Sequence, residues 1–103
     1  YLSRELQALD LGVPVILSIY GFSPEEFCEA ASIGVQADVG GLELNLSCPH
    51  VERTGAEMGQ DPRLVAEVVE EVKAIVDRPV FVKLTPNVPD LGQVARAAVE
   101  GGA

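Results

Sequence analysis

The segment from Asn45 to His50 places an amide, a hydroxyl, a thiol and an imidazole within a few residues of one another. The apolar run that leads into it, bounded by Gly40 and Gly41, is typical of a central strand of a parallel sheet. Side chains at the carboxyl end of such a strand project into the crevice outside the sheet, where α/β folds place their chemistry. We therefore interpret this segment as an active-site rim.

Cys48 is the candidate catalytic residue of the rim. A thiolate on a loop at this edge can act as a proton acceptor or as a nucleophile, and an ordinary loop cysteine is the alternative. Cys28 stands in the middle of a predicted helix, so we expect a small core residue there. A zinc site built from Cys28, Cys48 and His50 is disfavoured because no ligand-pair spacing is present.

Lys83 is a single lysine near the end of the apolar run 79–84. We expect its ammonium to be buried, and a buried ammonium needs an anionic or strongly accepting partner. A phosphate, a carboxylate or a negatively charged cofactor ring would serve, and a pair with Glu43 on the neighbouring strand is the structural alternative. Asn87 could be functional or could only cap its loop.

Strands are predicted at 13–20, 42–47 and 79–84, each followed by a helix, which indicates an α/β fold with parallel pairing. Either a TIM barrel or a doubly wound sheet could contain them. Each strand ends in a polar residue, namely Ser18, Asn45 and Lys83, and a barrel gathers side chains from many strand ends onto one face. No glycine-rich phosphate motif of the dinucleotide-binding or P-loop type is present. The pattern favours the barrel.

Helix starts are marked by capping residues. Ser23 is a predicted N-cap followed by Pro24 and by Glu26 of a capping box, and the sequence Asp61–Pro62 begins the next helix. A last helix begins at Pro89 or Asp90 and extends through Ala98. Residues 1–10 read as the end of an amphipathic helix, and the polar segment 51–60 reads as a lid or binding loop because it exceeds the usual length of a connector.

The composition bounds the function. The 103 residues carry a net charge of −9 and 48% hydrophobic residues, which indicates a globular chain and argues against nucleic acid or an anionic membrane surface as partner. No apolar run approaches the roughly 18 residues of a membrane span. Two cysteines at unrelated positions favour reduced thiols in the cytoplasm. The chain starts at Tyr1 and ends on a Gly pair before Ala103, so we interpret it as a fragment of a longer domain.

The order of the motifs resembles a known enzyme family. The segment Asn45–His50, then Gly-Gln-Asp-Pro at 59–62 and Lys-Leu-Thr-Pro-Asn at 83–87, resembles the class 1 dihydroorotate dehydrogenases, most closely the 1B branch. These flavoenzymes are (β/α)₈ TIM barrels. The resemblance implies that residues 1–103 are the central part of a single FMN-binding barrel domain, from about its third to its fifth strand with the following helices.

The resemblance also implies residue roles. Cys48 matches the catalytic base that takes a proton from C5 of dihydroorotate while a hydride leaves C6 for N5 of FMN. Asn45 matches an asparagine that binds the pyrimidine and lies beside the flavin, and Lys83 matches a lysine near flavin N1 and O2, where negative charge accumulates on reduction. Ser18 aligns with a residue near the flavin. The segment 51–60 matches a mobile loop that covers the substrate.

His50 departs from the family pattern, since many members carry a substrate-binding asparagine there. Imidazole can also donate or accept, so His50 remains a predicted substrate ligand for dihydroorotate or orotate. The FMN domain of dihydropyrimidine dehydrogenases shows histidine at this place, so reduction of uracil or thymine is the alternative function. A catalytically inert fragment is the second alternative, since three strands cannot close a barrel.

The expected partners are those of the 1B branch. The resemblance implies an iron–sulfur and FAD electron-transfer subunit that passes electrons to NAD, with fumarate or another acceptor left open. A homo-oligomer is expected for the full-length enzyme, with no metal, nucleic-acid or membrane site.

Overall fold

The computed structural model describes residues 12–47 and 59–103, which form a parallel sheet with helices packed on one of its faces. The strands are β1 (Ile16–Ile19), β2 (Gly41–Asn45) and β3 (Val80–Lys83), and the helices are α1 (Pro24–Val35), α2 (Pro62–Ile75) and α3 (Leu91–Gly101). The predicted alternation of strands and helices is confirmed. The helix predicted at residues 1–10 lies outside the described residues.

The strand β2 lies between β1 and β3, and both pairings are parallel, as the alternation predicts. The register sets Ser18 beside Glu43, and Asn45 beside Lys83. Each strand is shorter than predicted. At the end of β2 the backbone N–H of Ser47 bonds to the side chain of Asn45 at 3.0 Å, so a side chain replaces the sheet partner there.

The predicted helix starts are confirmed in detail. The Ser23 hydroxyl accepts the backbone N–H of Glu26 at 3.2 Å, while the Glu26 carboxylate accepts the N–H of Phe22 at 2.9 Å. Asp61 caps α2 by accepting from the N–H of Arg63, and Asp90 caps α3. These bonds satisfy donors that the first helical turn leaves without an intrahelical partner.

The core lies between the sheet and the helix layer. Leu42, Leu44 and Leu46 point into it from β2 and the residue after it, and α2 contributes four fully buried valines. Those valines are Val65, Val68, Val69 and Val72. Ile75, the last residue of α2, is 49% exposed and does not share this buried face. Among the helices of the described ranges, none is long and apolar enough to cross a membrane.

The other face of the sheet has no helix of the described chain on it, and we call it the open face. Side chains alternate across a strand, so residues at i and i+2 share a face. The open face carries Ile16, Ser18, Glu43, Asn45, Phe81 and Lys83. Ile16 and Phe81 are 49% and 52% exposed there, which is unusual for large apolar side chains on a central sheet.

Candidate active site

Asn45 and Lys83 stand side by side at the carboxyl edge of the sheet. They are the last residues of β2 and β3 and are direct register partners on the open face. The backbone N–H of Leu46 donates to the carbonyl of Lys83 at 3.0 Å, which continues the ladder past the end of β2. Because the pairing is parallel, both side chains reach the same edge, as the sequence predicts.

The side chain of Asn45 is oriented by Ser47. Its Oδ1 accepts the backbone N–H of Ser47 at 3.0 Å and the Ser47 hydroxyl at 2.8 Å. A backbone N–H can only donate, so the atom that faces it must be the amide oxygen. The NH₂ group of Asn45 has no hydrogen-bond partner among the described residues and remains a donor for a ligand.

Lys83 is exposed, so the expectation of a buried ammonium is wrong for the described chain. The alternative of a pair with Glu43 is also absent there, since both ion pairs of the described residues belong to Arg78. Lys83 is exposed because no other layer of the described chain covers the open face. Among the described residues Lys83 therefore has no anionic partner, and it is the register neighbour of Asn45.

Ser18 and Glu43 lie one step further down the same face. The Ser18 hydroxyl donates to Oε1 of Glu43 at 2.7 Å, and Glu43 is half-buried. Ser18 is predicted to lie near the cofactor, and its proton is committed to this carboxylate. The sequence named Glu43 only as a possible partner of Lys83. Its two-residue spacing from Asn45 puts both side chains on one face, so it also lies beside the candidate site.

The Gly-Gln-Asp-Pro motif is brought to this edge by close backbone packing. A Cβ on Gly59 would clash with the carbonyl oxygen of Leu46, so only glycine allows this approach. The side-chain amide of Gln60 donates to the carbonyl of Asn87 at 3.2 Å. The start of this motif thus joins the end of β2 to the loop after β3.

The loop after β3 is organised by Thr85 rather than by Asn87. Thr85 is buried, and its hydroxyl oxygen accepts the backbone N–H of Asn87 at 3.2 Å. This local turn explains why a threonine follows the lysine strand, a role that the sequence motifs did not indicate. The side chain of Asn87 is exposed.

Cys48 and His50 lie outside the described residues, as do residues 51–58 of the predicted loop 51–60. The last two residues of that predicted loop, Gly59 and Gln60, are helical. Ser47, which precedes Cys48 in the sequence, is half-buried at the carboxyl edge. Cys28 is partly buried on α1, and the pKa of its thiol is raised by burial and then by the negative charges of Glu71 and Glu25. The prediction that Cys28 packs with the core is confirmed, and such a thiol is a poor nucleophile at neutral pH.

The donor set at the carboxyl edge suits an electron-rich planar ligand. Lys83 offers a cation and Asn45 an NH₂ group, and both face open space beside the sheet. Such a pair can bind a ring edge with carbonyl oxygens and can stabilise negative charge that develops on it. Within ranges 12–47 and 59–103, no group of three acidic, histidine or cysteine side chains is arranged to hold a metal ion.

Comparison with known proteins gives one family. A sequence model described as dihydroorotate dehydrogenase matches residues 2–103. The chain is 50% identical over 101 residues to a protein of Methanothermobacter thermautotrophicus, covering 96% of this chain and 33% of that protein. It is 51% identical to one of Methanocella arvoryzae, covering 97% of this chain and 33% of that protein. Both relatives are named dihydroorotate dehydrogenase B (NAD(+)), catalytic subunit. The chain spans about a third of the length of the relatives it matches.

Proposed function

We propose, since this chain belongs to the dihydroorotate dehydrogenase family, that it is the central part of a single FMN-binding domain that oxidises dihydroorotate to orotate. The observation that carries the proposal is the pairing of Lys83 with Asn45. A cation and an amide donor stand in register at the carboxyl edge and face away from the core. Such donors can stabilise the negative charge that a reducible ring gains on reduction.

The open face supports a (β/α)₈ barrel as the complete fold. In a barrel, one face of the sheet turns inward and is filled by side chains in layers, and the helices form the outer ring. The exposed Ile16 and Phe81 would then be interior residues rather than surface ones. The three strands, in the order β1-β2-β3, would be consecutive strands of the barrel, from about its third to its fifth.

FMN, when bound, supplies the acceptor for the hydride that leaves C6 of dihydroorotate. Lys83 would hold a positive charge near N1 and O2 of the ring, and the NH₂ group of Asn45 would donate to the pyrimidine or to the flavin. Ser18 would lie below this pair. Cys48 would take the C5 proton, and His50 would bind the polar edge of the substrate.

The relatives carry NAD(+) and "catalytic subunit" in their names. We infer that the full-length protein works with an electron-transfer subunit of the iron–sulfur and FAD type, which delivers the electrons to NAD. We also propose that the full-length protein is cytoplasmic and forms a homo-oligomer, as the sequence analysis predicts.

The test uses the full-length protein and its visible spectrum. Anaerobic addition of dihydroorotate should bleach bound FMN rapidly. In Cys48→Ala the rate of bleaching should fall by about two orders of magnitude or more, as expected for removal of a general base. Cys28→Ser is the matched control, because that thiol lies in the helix layer and should leave the bleaching rate unchanged.

Three results would contradict the proposal. A purified full-length protein without flavin would remove it altogether. A flavin that ignores dihydroorotate but is reoxidised by uracil after chemical reduction would move the assignment to pyrimidine-base reduction, the function that His50 leaves open. Unchanged bleaching in Cys48→Ala would keep the reaction but remove Cys48 as its base.

A further inference from the structure

We propose that Glu43 is a positioning residue that sets how much positive charge Lys83 presents at the carboxyl edge, and that Ser18 controls it. This inference rests on the proposed function. It concerns a carboxylate on the open face that has no role in the assignment above. The observation behind it is the hydrogen bond of 2.7 Å from the Ser18 hydroxyl to Oε1 of Glu43.

The register places this pair directly below the site. Ser18, Glu43 and Phe81 form one level across the strands, and Asn45 with Lys83 forms the next level toward the carboxyl edge. Glu43 and Lys83 are thus diagonal neighbours on adjacent strands and on the same face. Side chains so placed are within reach of each other when they are long.

A carboxylate at this position needs more than one hydroxyl. Glu43 is half-buried in the described chain, and its surroundings become less polar when the open face is enclosed. Burying a charge is costly unless it is paired. Among the described residues on the open face, Lys83 is the only one of opposite charge, and it has no ion pair there. Lys83 is therefore the partner that this chain offers.

Ser18 is the hydrogen-bond partner of this carboxylate in the described chain. Its hydroxyl donates to Oε1 of Glu43 at 2.7 Å, and no ion pair joins Glu43 to Lys83 among the described residues. A neutral side chain at position 43 would leave the ammonium charge wholly available to a ligand. Loss of the Ser18 hydroxyl would free Glu43 to pair more closely with Lys83, so the two changes should act in opposite directions.

The experiment measures the midpoint potential of FMN in the full-length protein by spectroelectrochemistry. Negative charge accumulates on the ring edge near Lys83 on reduction, so Glu43→Gln should favour the reduced form by about tenfold, which is about 30 mV upward for a two-electron couple. Ser18→Ala should favour the oxidised form by about threefold, about 15 mV downward. Glu29→Gln, an identical charge change on the outer helix α1, is the control and should leave the potential unchanged.

The results separate this inference from the proposed function. If the wild-type protein holds no flavin or is not bleached by dihydroorotate, the proposed function fails. If bleaching occurs but Glu43→Gln changes the midpoint potential by less than about 15 mV, which is a threefold change in the redox equilibrium, the inference alone is overturned. The inference is likewise overturned if both variants shift the potential in one direction, because general loosening of the site would do that. Should Glu43→Gln fail to fold, a Ser18→Ala potential equal to or above that of wild type overturns the inference.

Discussion

The cationic side chains at the two edges of the sheet differ in their partners. At the amino edge, Arg78 donates from Nε to the carbonyl of Val39 at 3.0 Å and forms ion pairs with Asp38 and Asp77 at 3.1 and 2.8 Å. Lys73 in turn donates to the carbonyl of Arg78. At the carboxyl edge, Lys83 has no such partner within the described chain.

The difference separates a cation that holds the fold from one that is free to bind. Arg78 joins the segments that precede β2 and β3, and its bond to Val39 satisfies a carbonyl of a buried residue. Its aspartate partners are about nine-tenths exposed, so those ion pairs contribute little. Lys83 lies where α/β folds place their ligands, and it forms no ion pair with the described residues. Substitutions at the two edges test this contrast.

The largest effect is expected at Lys83. In the full-length protein, Lys83→Ala should lower the rate of flavin reduction by dihydroorotate by about 10²–10³-fold, since a preorganised charge aimed at developing negative charge is lost. The melting temperature of the flavin-free protein should fall less than that of Arg78→Ala, because Lys83 forms no ion pair with the described residues whereas Arg78 joins two segments of the fold. Stopped-flow absorbance and calorimetry measure the two quantities. A large loss of stability with unchanged reduction would reverse the roles assigned to the edges.

Arg78→Ala should show the opposite profile. Removing the donor leaves the Val39 carbonyl without its partner, and the free energy of unfolding should fall by about 1–3 kcal/mol. The reduction rate of the folded enzyme should stay near wild type. Denaturant unfolding measures the change, and Arg63→Ala on the exposed side of α2 is the matched control, expected within about 0.5 kcal/mol of wild type. Equal losses in both arginine variants would refute a special role for the amino-edge contact.

Gly59→Ala tests what holds the carboxyl edge together in place of ion pairs. Its Cβ would clash with the backbone carbonyl of Leu46, so the backbone must shift, at a cost of about 1–3 kcal/mol in the free energy of unfolding. Gly92→Ala on α3 is the control, because the nearest atoms are ends of side chains at 3.3 Å and alanine favours a helix by up to about 1 kcal/mol. Thermal unfolding of both variants measures the difference, and a stabilising Gly59→Ala would disprove the close contact.

The smallest effect is expected at Glu71, whose charge serves neither edge. Its pKa is raised by desolvation, then by a hydrogen bond with the carboxyl group of Glu67 and by the charges of Glu67, Glu25 and Glu70. The native state therefore holds this proton more tightly than the unfolded state, and the charged form destabilises the fold above the raised pKa. Glu71→Gln should raise the melting temperature slightly at neutral pH.

That gain should shrink as the pH falls through the raised pKa toward the ordinary range of glutamate, because wild-type Glu71 is then protonated in the native state. Melting curves at several pH values measure it, with Glu100→Gln on α3 as the charge-matched control. A gain that stays constant across this pH range would exclude the titration of Glu71 as its cause.

Local signals in the sequence were sufficient for the elements of the fold. The sequence predicts the start of α3 at Pro89 or Asp90, and Asp90 is its cap. The caps at Ser23 and Asp61 rest on bonds between neighbouring residues, so their positions could be predicted to the residue. The strand ends could not, because the end of β2 depends on the Asn45 side chain taking the N–H of Ser47. The predicted burial of Lys83 is wrong, since burial depends on which layers cover a strand and not on the apolar residues around it.

The order of strands and helices, the helix caps and the position of Asn45 and Lys83 at strand ends could be predicted from the sequence. These follow from local propensity, capping and the parallel direction that each intervening helix imposes. The bond from Ser18 to Glu43, the contact of Gly59 with the Leu46 carbonyl and the orientation of the Asn45 amide could be found only in the folded chain. Contacts of this kind join residues on different strands and loops, and their geometry depends on register and packing, which no local pattern encodes.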